Sequence, residues 1–106
     1  MTIAATCSWG AGKCYEGKID DYRIHAQVLD RPSKKGIAEG RIVQLYLSKN
    51  HSFGIQHCEL FYNLGWDSPP PTGSLRSVVE QAVYQIDGKR VDWAVERKRY
   101  EASWRK

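Results

Sequence analysis

The sequence predicts an α+β domain: an antiparallel sheet of four strands, within a range of three to five, packed by one amphipathic helix and followed by a second helix at the C-terminal end. Three observations carry this prediction. Apolar and polar residues alternate along much of the chain as far as Tyr62, the apolar period changes to three and four from Leu75 onward, and Pro69-Pro70-Pro71 separates the two regimes.

Tyr15 to Ile19 and Tyr22 to Leu29 form the arms of a hairpin, with turn chemistry supplied by Asp20-Asp21. In the second arm Tyr22, Ile24, Ala26 and Val28 alternate with Arg23, His25 and Gln27, the pattern of a strand wet on one face. Asp30 to Gly36 holds a Pro, a Gly and several charges and is predicted to be an exposed loop. Arg41 to Ser48 is the next strand, with Val43, Leu45 and Leu47 on one face and Ile42, Gln44 and Tyr46 on the other. Lys49 to Ser52 reads as a turn. Ile55 to Tyr62 follows as a strand in which Cys58, Leu60 and Tyr62 oppose His57, Glu59 and Phe61.

Leu75, Val78, Val79, Ala82, Val83 and Ile86 trace one continuous helical stripe. Thr72 or Ser74 can cap its start, and Gly88 is placed to end it in the left-handed conformation. Asp87-Gly88 also fits a tight hairpin turn, but Trp93, Arg97, Tyr100 and Trp104 recur at helical spacing and predict a helix from about Asp92 to Trp104. Its aromatics share one side, while Lys98, Arg99, Arg105 and Lys106 fall mostly on the other. The chain therefore divides into an α+β body, residues 1–88, and a basic aromatic extension, residues 89–106.

A chain of 106 residues suits one domain. Its formal charge of +4 is unevenly placed. Residues 1–88 balance nine basic against nine acidic side chains, and residues 89–106 hold seven against three, which is the whole surplus. That asymmetry suggests an acidic partner, a nucleic acid or an acidic protein surface. No apolar run approaches a membrane span, so no membrane partner is expected. Cys7, Cys14 and Cys58 are odd in number and irregular in spacing, which suits reduced thiols in a cytoplasm better than a disulfide framework.

Catalytic signals are weak. Cys7, Cys14, His57 and Cys58 are zinc-ligand types, but their spacing is poor and adjacent His57 and Cys58 point to opposite strand faces. Neither a metal nor a cofactor is expected. His25, His51 and His57 have no recognisable catalytic partner. Glu16, Lys18, Asp20 and Asp21 resemble a nuclease cluster but fit solvated turn residues better. Gly65-Trp66-Asp67 is more distinctive: Trp66 can plug the edge of a small core, with Asp67 accepting hydrogen bonds from nearby backbone, or it can be an exposed stacking residue.

The extension carries the best functional signal. Arg90, Arg97, Lys98, Arg99, Arg105 and Lys106, interleaved with Trp93, Tyr100 and Trp104, can contact phosphates and stack on bases. The other reading is a terminal helix docked by its aromatics with a solvated basic back.

Gly17-Lys18-Ile19, the segment Gly36-Ile37-Ala38-Glu39-Gly40-Arg41-Ile42, and Tyr62-Asn63-Leu64-Gly65-Trp66-Asp67 before one amphipathic helix together resemble a family of small bacterial and phage-encoded proteins of no established activity. The resemblance runs from Trp9 to about Ile86 and implies the fold and a phage or mobile-element context. It also singles out Arg41, Trp66 and Asp67. In the related pattern a basic residue precedes Gly-Trp-Asp where this chain has Leu64, and the basic extension is an addition.

The function expected from these observations is that of a small non-enzymatic binding protein acting on nucleic acid or on a host nucleic-acid-handling protein. Two alternatives are an interaction or inhibitory module docking through Trp66 and a sheet edge, and a small metal-dependent hydrolase or nuclease.

Overall fold

In the computed structural model of this chain, residues 2–10, 12–49, 58–67 and 69–104 are described. Five strands, β1 (Thr2–Trp9), β2 (Gly12–Ile19), β3 (Tyr22–Leu29), β4 (Ile42–Lys49) and β5 (Cys58–Asn63), form one antiparallel meander in the order β1-β2-β3-β4-β5. Two helices follow, α1 (Gly73–Asp87) and α2 (Trp93–Trp104). The α+β prediction holds, and the sheet has five strands rather than the central expectation of four. The added strand is β1, whose Ile3-Ala4-Ala5-Thr6-Cys7 shows no apolar alternation and which pairs only with β2, at the edge of the sheet.

The β2–β3 hairpin forms at the expected place, with Asp20 in the left-handed region at φ 53°, a conformation that Asp tolerates. β2 begins at Gly12, ahead of the expected Tyr15. Lys49 lies in β4, not in a turn. The rest of that turn, and the part of the next strand at 55–57, falls outside the described residues.

One side of the sheet is apolar. Ile19, Ile24, Ala26, Val28, Leu45, Leu47, Leu60 and Tyr62 are buried there against Val78, Val79, Ala82, Val83 and Ile86 of α1, so the helical stripe meets the alternating strand faces. Ile42 corrects the expected alternation. A register shift between Gln27 and Val28 pairs Val28 with Ile42 and skips Val43, so Ile42 turns inward and is fully buried beside Leu45.

Gly88 caps α1 in the left-handed conformation, φ 68°, its N–H donating to the Tyr84 carbonyl at 2.8 Å, which rejects the hairpin alternative. Thr72 is the N-cap residue but makes no side-chain capping bond. The C-terminal turn of α1 is clasped to the start of β4 by Arg41. Its Nε donates to Asp87 Oδ1 at 2.7 Å, its backbone N–H to Asp87 Oδ2 at 2.9 Å, and Nη2 to the Ile86 carbonyl at 3.1 Å. The hydrogen bond with Asp87 is the main reason the Arg41 pKa is raised despite burial. Gly40 makes room for the clasp, because a Cβ there would press on Asp87 Oδ2 and lie 2.8 Å from the Lys89 stem.

Leu45 and Leu64 test this partition between core and surface. Leu45 is fully buried and Leu64 is 52% exposed. Leu45→Ala should lower stability by about 2–5 kcal/mol and Leu64→Ala by no more than about 0.5 kcal/mol, read from urea unfolding midpoints at equal slope.

Candidate functional site

The second helix begins where Asp92 Oδ1 accepts from the backbone N–H groups of Ala94 and Val95, at 3.1 and 3.3 Å, a side-chain cap that sets the expected start. Its inner side is not simply apolar, because the residue that α2 buries most completely is acidic. Glu96 is fully buried, and its carboxylate accepts from a tryptophan, an arginine and a backbone N–H. Trp66 Nε1 donates to Oε1 at 2.9 Å, Arg99 Nη1 to Oε1 and Oε2 at 2.8 and 3.0 Å, and the Ala38 backbone N–H to Oε2 at 3.3 Å.

Arg99 extends the network. Its Nη2 donates to the Lys34 carbonyl at 2.9 Å and to the Tyr62 hydroxyl at 3.2 Å, and Tyr62 donates in turn to the Lys35 carbonyl at 2.6 Å. Thus β5, the Gly65-Trp66-Asp67 turn, the loop before β4 and α2 all meet at one ion pair whose carboxylate is buried and whose guanidinium is half-buried. The loop is shaped for it: residues Ile37–Glu39 form a short 3-10 turn with Ala38 in the left-handed region at φ 57°. Burial raises the Tyr62 pKa, and the nearby Arg99 charge opposes that shift.

Trp66 is the wall of this site. It is 8% exposed, its ring meets Tyr62 edge-on at 4.9 Å, and it lies 5.8 Å from Trp93. Trp93 donates through Nε1 to Glu80 at 3.0 Å and lies under the Arg76 guanidinium at 5.1 Å. Tyr100 is half-buried against the core.

Among the residues singled out from the sequence, Trp93, Arg99 and Tyr100 therefore sit on the docked side of α2. Arg99 does not belong to a solvated basic back; its charge faces Glu96. Arg90, Arg97 and Lys98 are exposed, with Arg97 Nε 3.9 Å from Glu101 across one helical turn. Trp104 is the last residue of α2, and Arg105 and Lys106 lie outside the described residues. Arg41 belongs to the α1 clasp. Trp66 is interior, which removes it as a surface for docking a partner. Asp67 is exposed, and its backbone N–H donates to the Phe61 carbonyl at 3.4 Å. Leu64 takes the left-handed conformation with its side chain outward, so a basic residue at that position meets no packing barrier.

The cysteine expectation is corrected. Cys7 and Cys14 are register partners across β1 and β2, Cα–Cα 5.1 Å, and form a disulfide. Irregular sequence spacing concealed a pairing that an antiparallel hairpin brings together. The bond also takes two of the thiols a zinc site would use. Among the described residues no group of three or more His, Cys, Asp or Glu is placed to hold a metal, and no helix is long and apolar enough to cross a membrane. His51 and His57 lie outside the described residues.

Sequence reasoning missed Glu96. An acidic residue one turn from Trp93 and three residues from Arg99 is an ordinary surface pattern until the Trp66 indole is known to face it.

Removing the Glu96 carboxylate leaves Arg99 and the Trp66 N–H without their acceptor. Glu96→Ala should cost at most about 3–5 kcal/mol, since Arg99 keeps some contact with water, and should make the segment after Gly88 the first site of limited proteolysis. Tyr62 gives a pH signature. Its pKa is raised in the fold above the ordinary 10.0, so its contribution is intact below that value and drains away as pH rises through the folded pKa. Tyr62→Phe should be less stable at neutral pH and lose less stability than the unsubstituted protein as pH rises above the ordinary tyrosine value of 10.0, measured by urea unfolding at each pH.

A family described as a domain of unknown function, DUF7678, matches residues 13–87. No curated protein and no solved structure matches the chain. The matched segment runs from β2 through the last residue of α1, so β1 up to Trp9 and α2 lie outside it, while Arg41, Asp87, Tyr62 and Trp66 lie within it. Covering well over half of the 106 residues, the match establishes that the chain belongs to the DUF7678 family.

Proposed function

We propose that this protein is a non-enzymatic nucleic-acid-binding protein whose outer α2 surface, together with Arg90 just before that helix, contacts phosphates. The observation that carries this reading is where the charge is left after docking. The surplus of four lies within residues 89–106, and the Glu96 ion pair engages Arg99 but leaves Arg90, Arg97 and Lys98 outward. Arg90 also borders an open groove with Glu80, Tyr84, Gln85 and Lys89, where an exposed aromatic ring stands beside two cations and the Glu80 carboxylate accepts from Trp93.

With Trp93 and Tyr100 turned toward the core, contact by this surface is electrostatic and largely indifferent to sequence. It is a surface for holding a polyanion, not for reading it.

Deleting residues 89–106 is an unsuitable test, because it also removes Glu96 from Trp66 and Ala38. The combined variant Arg90→Gln, Arg97→Gln, Lys98→Gln leaves the buried network in place. The unsubstituted protein should bind DNA with an affinity that falls steeply between about 50 and 200 mM salt, in the manner of about 3 or more phosphate contacts. The variant should bind more weakly, with a log–log salt slope shallower by about 0.9 for each contact removed. Equal affinity and slope in the two proteins would remove α2 from the interaction.

A further inference from the structure

The sheet face opposite α1 carries a pattern that strand alternation hints at and only register assembles. Three cross-strand rows lie on it. The central row runs Glu16, His25, Tyr46, Phe61 across β2 to β5. His25 and Tyr46 stack with centroids 5.6 Å apart and planes 19° from parallel, and Tyr46 and Phe61 lie 4.6 Å apart at 54°. All three rings are half-exposed.

The flanking rows differ chemically. On one side Gln27, Gln44 and Asn63 are register neighbours; Gln44 Nε2 donates to Asn63 Oδ1 at 3.1 Å, and the Tyr46 hydroxyl donates to Gln44 Oε1 at 3.1 Å. On the other side Lys18 and Arg23 face each other across β2 and β3, both exposed and beside a shallow groove at Glu16 and Gly17. Glu16, in the central row, stands 3.5 Å from His25 Nδ1.

We propose that this face is a stacking platform for single-stranded nucleic acid. It rests on the nucleic-acid reading above but uses a different surface and supplies the strand preference that the α2 surface lacks. Unpaired bases stack on the His25, Tyr46 and Phe61 rings, the amide row meets base edges, and Lys18 and Arg23 meet phosphates. A duplex keeps its base faces inside its own stack and cannot use the rings. Aromatic rings also suit a protein interface, and what favours a polyanion here is charge, because Lys18 and Arg23 are exposed side by side next to the rings. The adjacent cation pair and the basic chain favour a polyanion over a neutral glycan.

The test uses the full chain and a labelled single strand of about twelve nucleotides, the matching duplex, and a neutral polysaccharide as competitor. The single strand should bind more tightly than the duplex. Tyr46→Ala should weaken it about tenfold or more, Tyr46→Phe should restore it to within about twofold, and the α2 triple variant should retain the preference for single strands. In the unsubstituted protein, the proton resonances of the His25, Tyr46 and Phe61 rings should shift on titration, a readout that does not depend on any variant folding. Binding that is unchanged in Tyr46→Ala, ring resonances that stay still while the α2 amides shift, or equal binding of the duplex would overturn the platform and leave the α2 reading standing. Competition by the polysaccharide would overturn it too, assigning the face to sugars instead. No binding of either nucleic acid would overturn both proposals, and loss of binding in Tyr46→Ala but not in the α2 variant would overturn the α2 reading alone.

Discussion

A carboxylate removed from water loses solvation worth several kcal/mol and is tolerated only where donors replace it. Glu96 meets that requirement with donors from three separate parts of the chain: the Trp66 indole, the Ala38 backbone and the Arg99 guanidinium. Withdrawal of any one leaves that donor without its acceptor and the buried carboxylate with less compensation. The loop before β4, the turn after β5 and α2 are consequently held as one unit, and Tyr62 joins them through Arg99 while also filling the core. The pair adds little net stability of its own, because the attraction largely offsets the cost of desolvation.

This arrangement decides the character of the basic extension. A free arm would offer its aromatics and its cations together. Docking separates them, with Trp93 and Tyr100 turned inward and Arg90, Arg97 and Lys98 turned outward. The Arg41–Asp87 clasp plays a comparable part at the end of α1, tying its last turn to β4. Both attachments combine a charge with backbone groups, so each sets direction as well as contact.

The sheet distributes its two faces differently. One is aliphatic and closed by α1. The other is aromatic and amide-rich, bordered by cations, and stiffened at its edge by the Cys7–Cys14 bond. On the two proposals together, the sheet face stacks bases with its own cations at the border, and the outer side of α2 adds a second, purely electrostatic surface on the same small domain.

The α1 stripe, the β2–β3 hairpin, the Gly88 cap and the Asp92 start were all legible because each depends on neighbours a few residues away, where periodicity and local backbone preference act. The neutral body and the basic extension were equally legible, since charge is additive along a chain. β1 was not, because an edge strand is defined by its pairing with β2 and needs no apolar alternation of its own. Ile42 was assigned to the wrong face because a bulge is a property of two strands in register. The Cys7–Cys14 bond, the Glu96 network and the His25-Tyr46-Phe61 row are likewise meetings that depend on how separate segments are paired. Sequence by itself determined, β1 apart, which segments are helical or extended and where the charge accumulates. Only the tertiary structure decided which distant segments meet, because partners as far apart along the chain as Trp66 and Glu96 leave no periodic trace of their contact.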